Sequence, residues 1–277
     1  MEAVWDAFLL LRWAALAGAV AAIVGTAPYP RRWLSAAREV AIVAGAYVLY
    51  FLARSITADH HARAASNARR LVDLEKASGL FHEPAIQSWI IDNGRLVTLS
   101  NWIYIWGFSP FMLLVGTWLL FHRPDAYYPV RNALLLSGAV GLLFFAAFPV
   151  APPRMVELGL VDTISEHSGA YRNAQPHALV NEIAAMPSLH FGWCVVVAVP
   201  LARFGLGPLR VLGFAAPVAM AFAVVATANH YIVDVVAGGV VSLAALAAVT
   251  YWDRREPGWL GPLDFLRAPR RLWEHRA

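Results

Sequence analysis

The chain has 277 residues, of which 59% are hydrophobic and 14% charged, and a mean hydropathy of +0.55; soluble domains run near about 45–50% apolar and about 25% charged. That balance excludes a water-soluble globular protein and describes a polytopic membrane protein. The net charge of +4 comes mostly from arginines at the ends of apolar runs, which suits anionic lipid headgroups, and with no DNA- or RNA-binding motif present no nucleic-acid partner is expected.

Apolar runs long enough to cross a bilayer, about 17–25 residues each, lie at 7–26, 38–57, 97–121, 130–149, 187–204, 209–227 and 231–251. They predict seven transmembrane helices. The N-terminus MEAVWD is acidic where a secretory signal is basic, so the first run is expected to stay in the chain. Cys194, the only cysteine, falls within an apolar run and is expected to pack as a small hydrophobe.

Between the second and third runs, residues 58–94 carry Leu71, Leu74, Ala77 and Leu80 at helical spacing and then, after Gly79, Phe81, Ile86, Trp89 and Ile90. This predicts two amphipathic helices lying on the membrane surface. Residues 151–186 are rich in Pro, Gly, Ser, His and Asn, which predicts a loop. The expected organisation is N-terminal transmembrane helices over 1–57, interfacial helices over 58–95, a catalytic transmembrane core over 96–252 and a basic cytoplasmic tail over 253–277.

Counting helices from the fourth run places FPVAPPRM, MPSLH and ATANHYIVD on one membrane face. The opposite face collects Arg31, Arg32, Arg38, Arg123, Arg131, Arg203 and Arg210, with Arg254, Arg255, Arg267, Arg270, Arg271 and Arg276 of the tail. The motif face has Arg54, Arg63, Arg69, Arg70, Lys76 and Arg95 around the interfacial helices, and Arg154 and Arg172 in the long loop. Weighted by the short loops, the positive-inside rule predicts an extracytoplasmic motif face and a cytoplasmic C-terminus in a multi-pass plasma-membrane protein.

The motifs carry chemistry. His230 and Asp234 are four apart and share a helix face, where the carboxylate can hold one imidazole N–H and leave the other nitrogen a nucleophile or base. Pro187 and Ser188 open a helix whose free amides and hydroxyl suit an anion, and His190 can protonate a leaving oxygen. Arg154, after two prolines, offers a fixed fork for a phosphate oxygen pair. Blander readings cover the rest: His60 and His61 as a solvated pair, His167, His177, Glu182 and Arg172 as solvated loop, and His82 and His122 as helix ends. Asn101 and Tyr104 are candidates for the substrate cleft, but Trp102, Tyr104 and Trp106 read better as an interfacial aromatic belt. No zinc site is expected, because the spacings fit no helical ligand pair.

FPVAPPR, AMPSLH and NHYIVDVVAG resemble the three signature motifs of the type 2 phosphatidic acid phosphatase superfamily. AMPSLH and HYIVDVVAG look most like the branch containing fungal inositol phosphorylceramide synthases, and NARRLVDLEKASGLFHEPAIQ resembles a segment common there, so the resemblance covers about Ala58 to Gly239. It implies an all-α transmembrane bundle with a six-helix core, here preceded by one extra N-terminal helix. It further implies a phosphohistidine mechanism without metal or cofactor: His230 attacks phosphorus, Asp234 orients it, His190 protonates the leaving group, and Arg154 and Ser188 hold the phosphate. Two positions depart from the pattern, Ala147 where a Lys is common and Val224 where an Arg is common. Asn229 is a candidate replacement phosphate ligand. Fewer cations favour a phosphodiester over a dianionic monoester, hence transfer of an inositol-phosphate-type headgroup between lipids. The alternative is a phosphatase acting on phosphatidate, phosphatidylglycerophosphate or a polyprenyl phosphate. A non-catalytic scaffold or a transporter is a third reading, but a transporter places its polar breaks at mid-membrane, whereas here they lie at helix ends.

Overall fold

The computed structural model describes residues 2–26, 33–56, 60–167 and 183–255. Arg31, Arg32, Arg172, His177, Glu182 and the tail from residue 256 lie outside the described residues. Eleven α-helices follow in order: α1 (Glu2–Gly25), α2 (Trp33–Ile56), α3 (His61–Ser78), α4 (Glu83–Ile91), α5 (Gly94–Trp102), α6 (Phe108–His122), α7 (Pro124–Ala147), α8 (Thr163–His167), α9 (Leu189–Phe204), α10 (Pro208–Ala226) and α11 (Ile232–Arg255). A π-helical turn, Ile103–Gly107, joins α5 to α6. No strand occurs among the described residues, and one isolated bridge pairs Val150 with Ala184. The all-α bundle is the expected fold class: in lipid the backbone must satisfy its own hydrogen bonds, so each long apolar run becomes a helix.

Among the described residues Pro124–Ala147, Pro208–Ala226 and Ile232–Trp252 are long and apolar enough to cross a membrane, three where the sequence predicts seven; Gly94–Ile105 and Phe108–His122 meet that length and composition only together, across a 44° bend. The chain is an integral membrane protein. The run at 187–204 forms the shorter α9, whose 16 residues extend about 24 Å at about 1.5 Å per residue.

The bundle is built around α9, which packs on α10, α11 and α7; α7 also packs on α11 and α2, and α1 packs on α6. Small residues let the backbones close. Gly192 of α9 faces the Ser242 hydroxyl and the Gly238 carbonyl of α11, and Gly238 backs onto the Ser188 main chain. At α7 the buried Arg131 guanidinium meets the buried Glu39 carboxylate of α2 at 2.5 Å and also donates to Asn132 at 3.1 and 2.8 Å.

The interfacial segment folds as two helices, but the buried face of α3 differs from the expected one. Ala64, Asn67, Ala68, Leu71, Val72 and Glu75 are buried, whereas Leu74 and Leu80 are exposed, as is Trp89 of α4. Polar Asn67 and Glu75 interrupt the true stripe and shift the apparent one by a position. Asn67 donates to the Pro149 carbonyl at 2.9 Å, and the Ala151 N–H donates to Ala64 at 3.2 Å. Helix α3 is thereby fastened to the segment leaving α7, and Leu74, like Leu80 just beyond the helix, stays exposed.

Candidate active site

The turn between α10 and α11 positions His230. Thr227 returns its hydroxyl to the Ala223 carbonyl at 2.7 Å, Ala228 takes a left-handed conformation (φ 55°), and the N–H groups of Asn229 and His230 both donate to Val224, at 3.1 and 3.0 Å. The His230 Nδ1 lies 2.8 Å from the Ala185 carbonyl and 3.5 Å from Asp234 Oδ2. A carbonyl only accepts, so Nδ1 carries the proton and Nε2 the lone pair. The sequence reading gave that orienting bond to Asp234; the nearer acceptor is the main chain before MPSLH. Asp234, fully buried, instead accepts the Tyr231 N–H at 2.9 Å, and its own carbonyl accepts the Ser188 N–H at 2.9 Å.

The His190 ring centroid is 6.1 Å from that of His230. Tyr104 stacks on His190 at 4.7 Å and 27°, with Phe108 tilted against it at 4.6 Å. This corrects the belt reading of Tyr104: the π-helical turn inserts one residue into the helical phase, and Tyr104 comes to rest on His190. Asn101, considered for the cleft, is buried and structural, exchanging bonds with Thr163 at 2.8 Å in both directions.

Arg154 enters from the 3-10 turn Pro153–Met155. Its N–H bonds to the Ala228 carbonyl at 3.1 Å, its Nη1 donates to Asn229 Oδ1 at 2.6 Å, and its Nε lies 3.4 Å from Asp162 Oδ2. Asn229 Nδ2 is engaged with Thr227 at 2.8 Å. As placed, Asn229 holds the guanidinium, and both ends of its amide are used. Ser188 is fully buried at the start of α9, and its hydroxyl has no hydrogen-bond partner among the described residues. Of the two departures, Val224 packs in an apolar cluster with Cys194, Met220 and Val225, and the Ala147 carbonyl receives a bond from the exposed Arg63 at 2.7 Å.

Sequence reasoning missed three acids. Asp162 pairs with Arg154. Glu75 and Glu83, fully buried, accept the N–H groups of Val233 and Ile232 at 2.8 and 2.9 Å. Burial pushes the Glu75 carboxyl up to about 8, with the Val233 N–H pulling against it and the charge of Glu83 adding to it. The available signal was Glu75 standing four residues after Leu71, on the same face as Ala64, Ala68 and Val72.

Fold and site together define a helical membrane protein whose histidines, aspartate, arginine and unpartnered hydroxyl gather at one end of the bundle. A family model described as PAP2 superfamily matches residues 69–248, well over half of the chain, and the chain belongs to that superfamily, whose members are generally phosphatases and phosphotransferases of lipid phosphates. No curated protein and no solved structure matches. The match takes in every residue of the cluster and leaves α1 and α2 outside.

Proposed function

We propose that this protein transfers a phosphoryl-linked headgroup, of the inositol-phosphate kind, from one lipid to another through a phosphohistidine. The observation that carries the reading is the bond from His230 Nδ1 to the Ala185 carbonyl, which puts the imidazole lone pair on Nε2, with the His190 ring 6.1 Å away. Nε2 attacks phosphorus, the bond from phosphorus to the lipid oxygen breaks, and His190 gives that oxygen its proton. Asp234, 3.5 Å from Nδ1, balances the cationic phosphohistidine. In the second half-reaction His190 takes the proton of an acceptor hydroxyl, whose oxygen attacks phosphorus as the N–P bond breaks. No metal or cofactor enters this scheme.

Charge supports a phosphodiester donor. The guanidinium of Arg154 is already shared with Asp162, and Val224 lies in apolar packing, so among the described residues the motifs offer at most one positive charge, which suits a monoanion. The buried Ser188 hydroxyl lacks a partner among the described residues; a substrate oxygen would supply one, offsetting the roughly 1–3 kcal/mol that an unpaired buried polar group costs. The arginine-rich short loops at the other end of the bundle support an extracytoplasmic site and a cytoplasmic C-terminus. Substrate enters from the lipid side, with its acyl or prenyl tails left in the bilayer.

The test is product analysis by mass spectrometry, with wild type and His230→Ala given phosphatidylinositol, phosphatidate and a polyprenyl phosphate, with and without lipid alcohols, in a chelator. Diacylglycerol released from phosphatidylinositol only when an alcohol acceptor is present is the expected outcome. Free phosphate from a monoester without acceptor would make the protein a phosphatase, and equal turnover by His230→Ala would remove the catalytic reading altogether.

A further inference from the structure

Three consecutive N–H groups at the start of α11, which a helix cannot satisfy internally, each meet a carboxylate. Tyr231 donates to Asp234, Ile232 to Glu83 of α4, and Val233 to Glu75 of α3. All three acids are buried to 0% exposure, and their second oxygens, Glu75 Oε2, Glu83 Oε2 and Asp234 Oδ1, have no donor among the described residues. No arginine or lysine among the described residues pairs with Glu75 or Glu83. Two buried anions without a cation, set beside the carboxylate of Asp234, are far costlier than one anion and a neutral acid. Glu83 and Glu75 accept the adjacent N–H groups of Ile232 and Val233, where one proton between the two acids gives both spare oxygens a partner.

We propose that Glu75 and Glu83 share a proton, and that this acid pair is the clamp by which the interfacial helices position the first turn of α11, and with it His230 and Asp234. The titratable groups that face the pair are Asp234 of α11 and, in the preceding turn, Tyr231. Its effect on turnover rests on the phosphohistidine reading; the shared proton and the docking do not. The Glu75 carboxyl, raised by burial from 4.5 to about 8, agrees with an acid that keeps its proton at neutral pH. Since the folded value lies above the unfolded one, its contribution to stability is complete below about 4.5 and is lost as pH climbs to about 8.

The experiment uses the full chain in nanodiscs of zwitterionic phospholipid, comparing wild type, Glu75→Gln and Glu83→Gln by infrared spectroscopy and thermal unfolding across pH. Wild type is expected to show the carbonyl stretch of a protonated carboxyl that disappears as pH passes about 8. Each glutamine variant, whose amide donates in place of the acid O–H, is expected to lack that band and the accompanying decline in unfolding temperature. A wild type without the band, or a band that survives in both variants, overturns the proposal; the wild-type titration decides even where a variant does not fold. In the same nanodiscs Glu75→Gln should keep kcat within ~3-fold, whereas Glu75→Leu, which leaves the Val233 N–H unpaired, should lose ~10–100-fold. An intact infrared titration without turnover on any substrate would count against the catalytic reading alone.

Discussion

Replacing Gly238 by alanine puts a methyl group where the structure has none to spare. A Cβ there would strike the Ser188 carbonyl oxygen and come within 2.7 Å of the Ser188 carbonyl carbon, and both are main-chain atoms that cannot rotate aside. Relief requires α9 and α11 to part. Forced overpacking costs about 1–3 kcal/mol, and losing the bond from the Ser188 N–H to the Asp234 carbonyl, now 2.9 Å, adds about 1 kcal/mol. The expected loss of stability is thus about 2–4 kcal/mol. The same separation carries Ser188 and His190 away from His230, and a shift of about 1 Å in a reacting constellation lowers turnover roughly 100-fold. Gly239→Ala is the graded comparison, since its Cβ meets the Phe191 ring edge at 3.0 Å and a side chain can yield. Gly116→Ala, with nothing within 4 Å, is the neutral control. Unfolding in mild detergent and headgroup-transfer kinetics on the three variants make the check. A Gly238→Ala protein as stable and active as Gly116→Ala would refute the close approach of α9 and α11 on which the site's geometry rests.

Arg154→Lys replaces a fork held by Asn229 and Asp162 with a point charge, and kcat/KM for the lipid donor should fall about 10–100-fold; Asn229→Ala, which frees the fork without removing it, should fall less in the same assay. Tyr104→Leu removes the ring stacked on His190, worth about 0.5–1.5 kcal/mol, so steady-state kinetics should show a kcat lower by about 2–10-fold with KM little changed. Arg131→Met strands the Glu39 carboxylate and should destabilise by about 3–5 kcal/mol; the double change with Glu39→Met should recover most of that in the same unfolding measurement.

The helices were legible because lipid admits one solution for a long apolar run, although three of them rather than seven are long and apolar enough to cross a membrane among the described residues; the grouping of His230, Asp234, His190, Ser188 and Arg154 was legible because polar groups stand out against that background. What escaped has a common cause. The acceptor that fixes the His230 tautomer is a backbone carbonyl, that of Ala185, and carbonyls leave no trace in sequence. Tyr104 left the expected belt because a π-helical turn shifted its phase by one residue. Glu75 and Glu83 look solvent-facing in a chain where acids are few, and only the tertiary contact with the start of α11 reveals them as buried. Asn67 and Glu75 on the inner face of α3 hid the true stripe and lent Leu74 and Leu80 a packing role they do not have.

The three motifs are joined by main chain before any side chain contributes. Ala151 bonds to Ala64, Val150 to Ile183, Ala185 to Val150, Arg154 to Ala228 and Ser188 to Asp234, all through backbone N–H and C=O groups. Because these bonds do not depend on side-chain identity, the frame should persist when Arg154 or His190 is replaced, and such variants report on chemistry. Gly238 and Glu75 act on the frame itself, by close approach or by capping α11, so Gly238→Ala and Glu75→Leu move stability and turnover together. Pairs within the connected set, Asn229 with Arg154 foremost, should be non-additive, whereas Arg131 with Arg154, which share no partner, should combine additively. A double-mutant cycle that found Arg154 and Asn229 independent would place the guanidinium outside the hydrogen-bonded frame and weaken the case for a fixed phosphate fork.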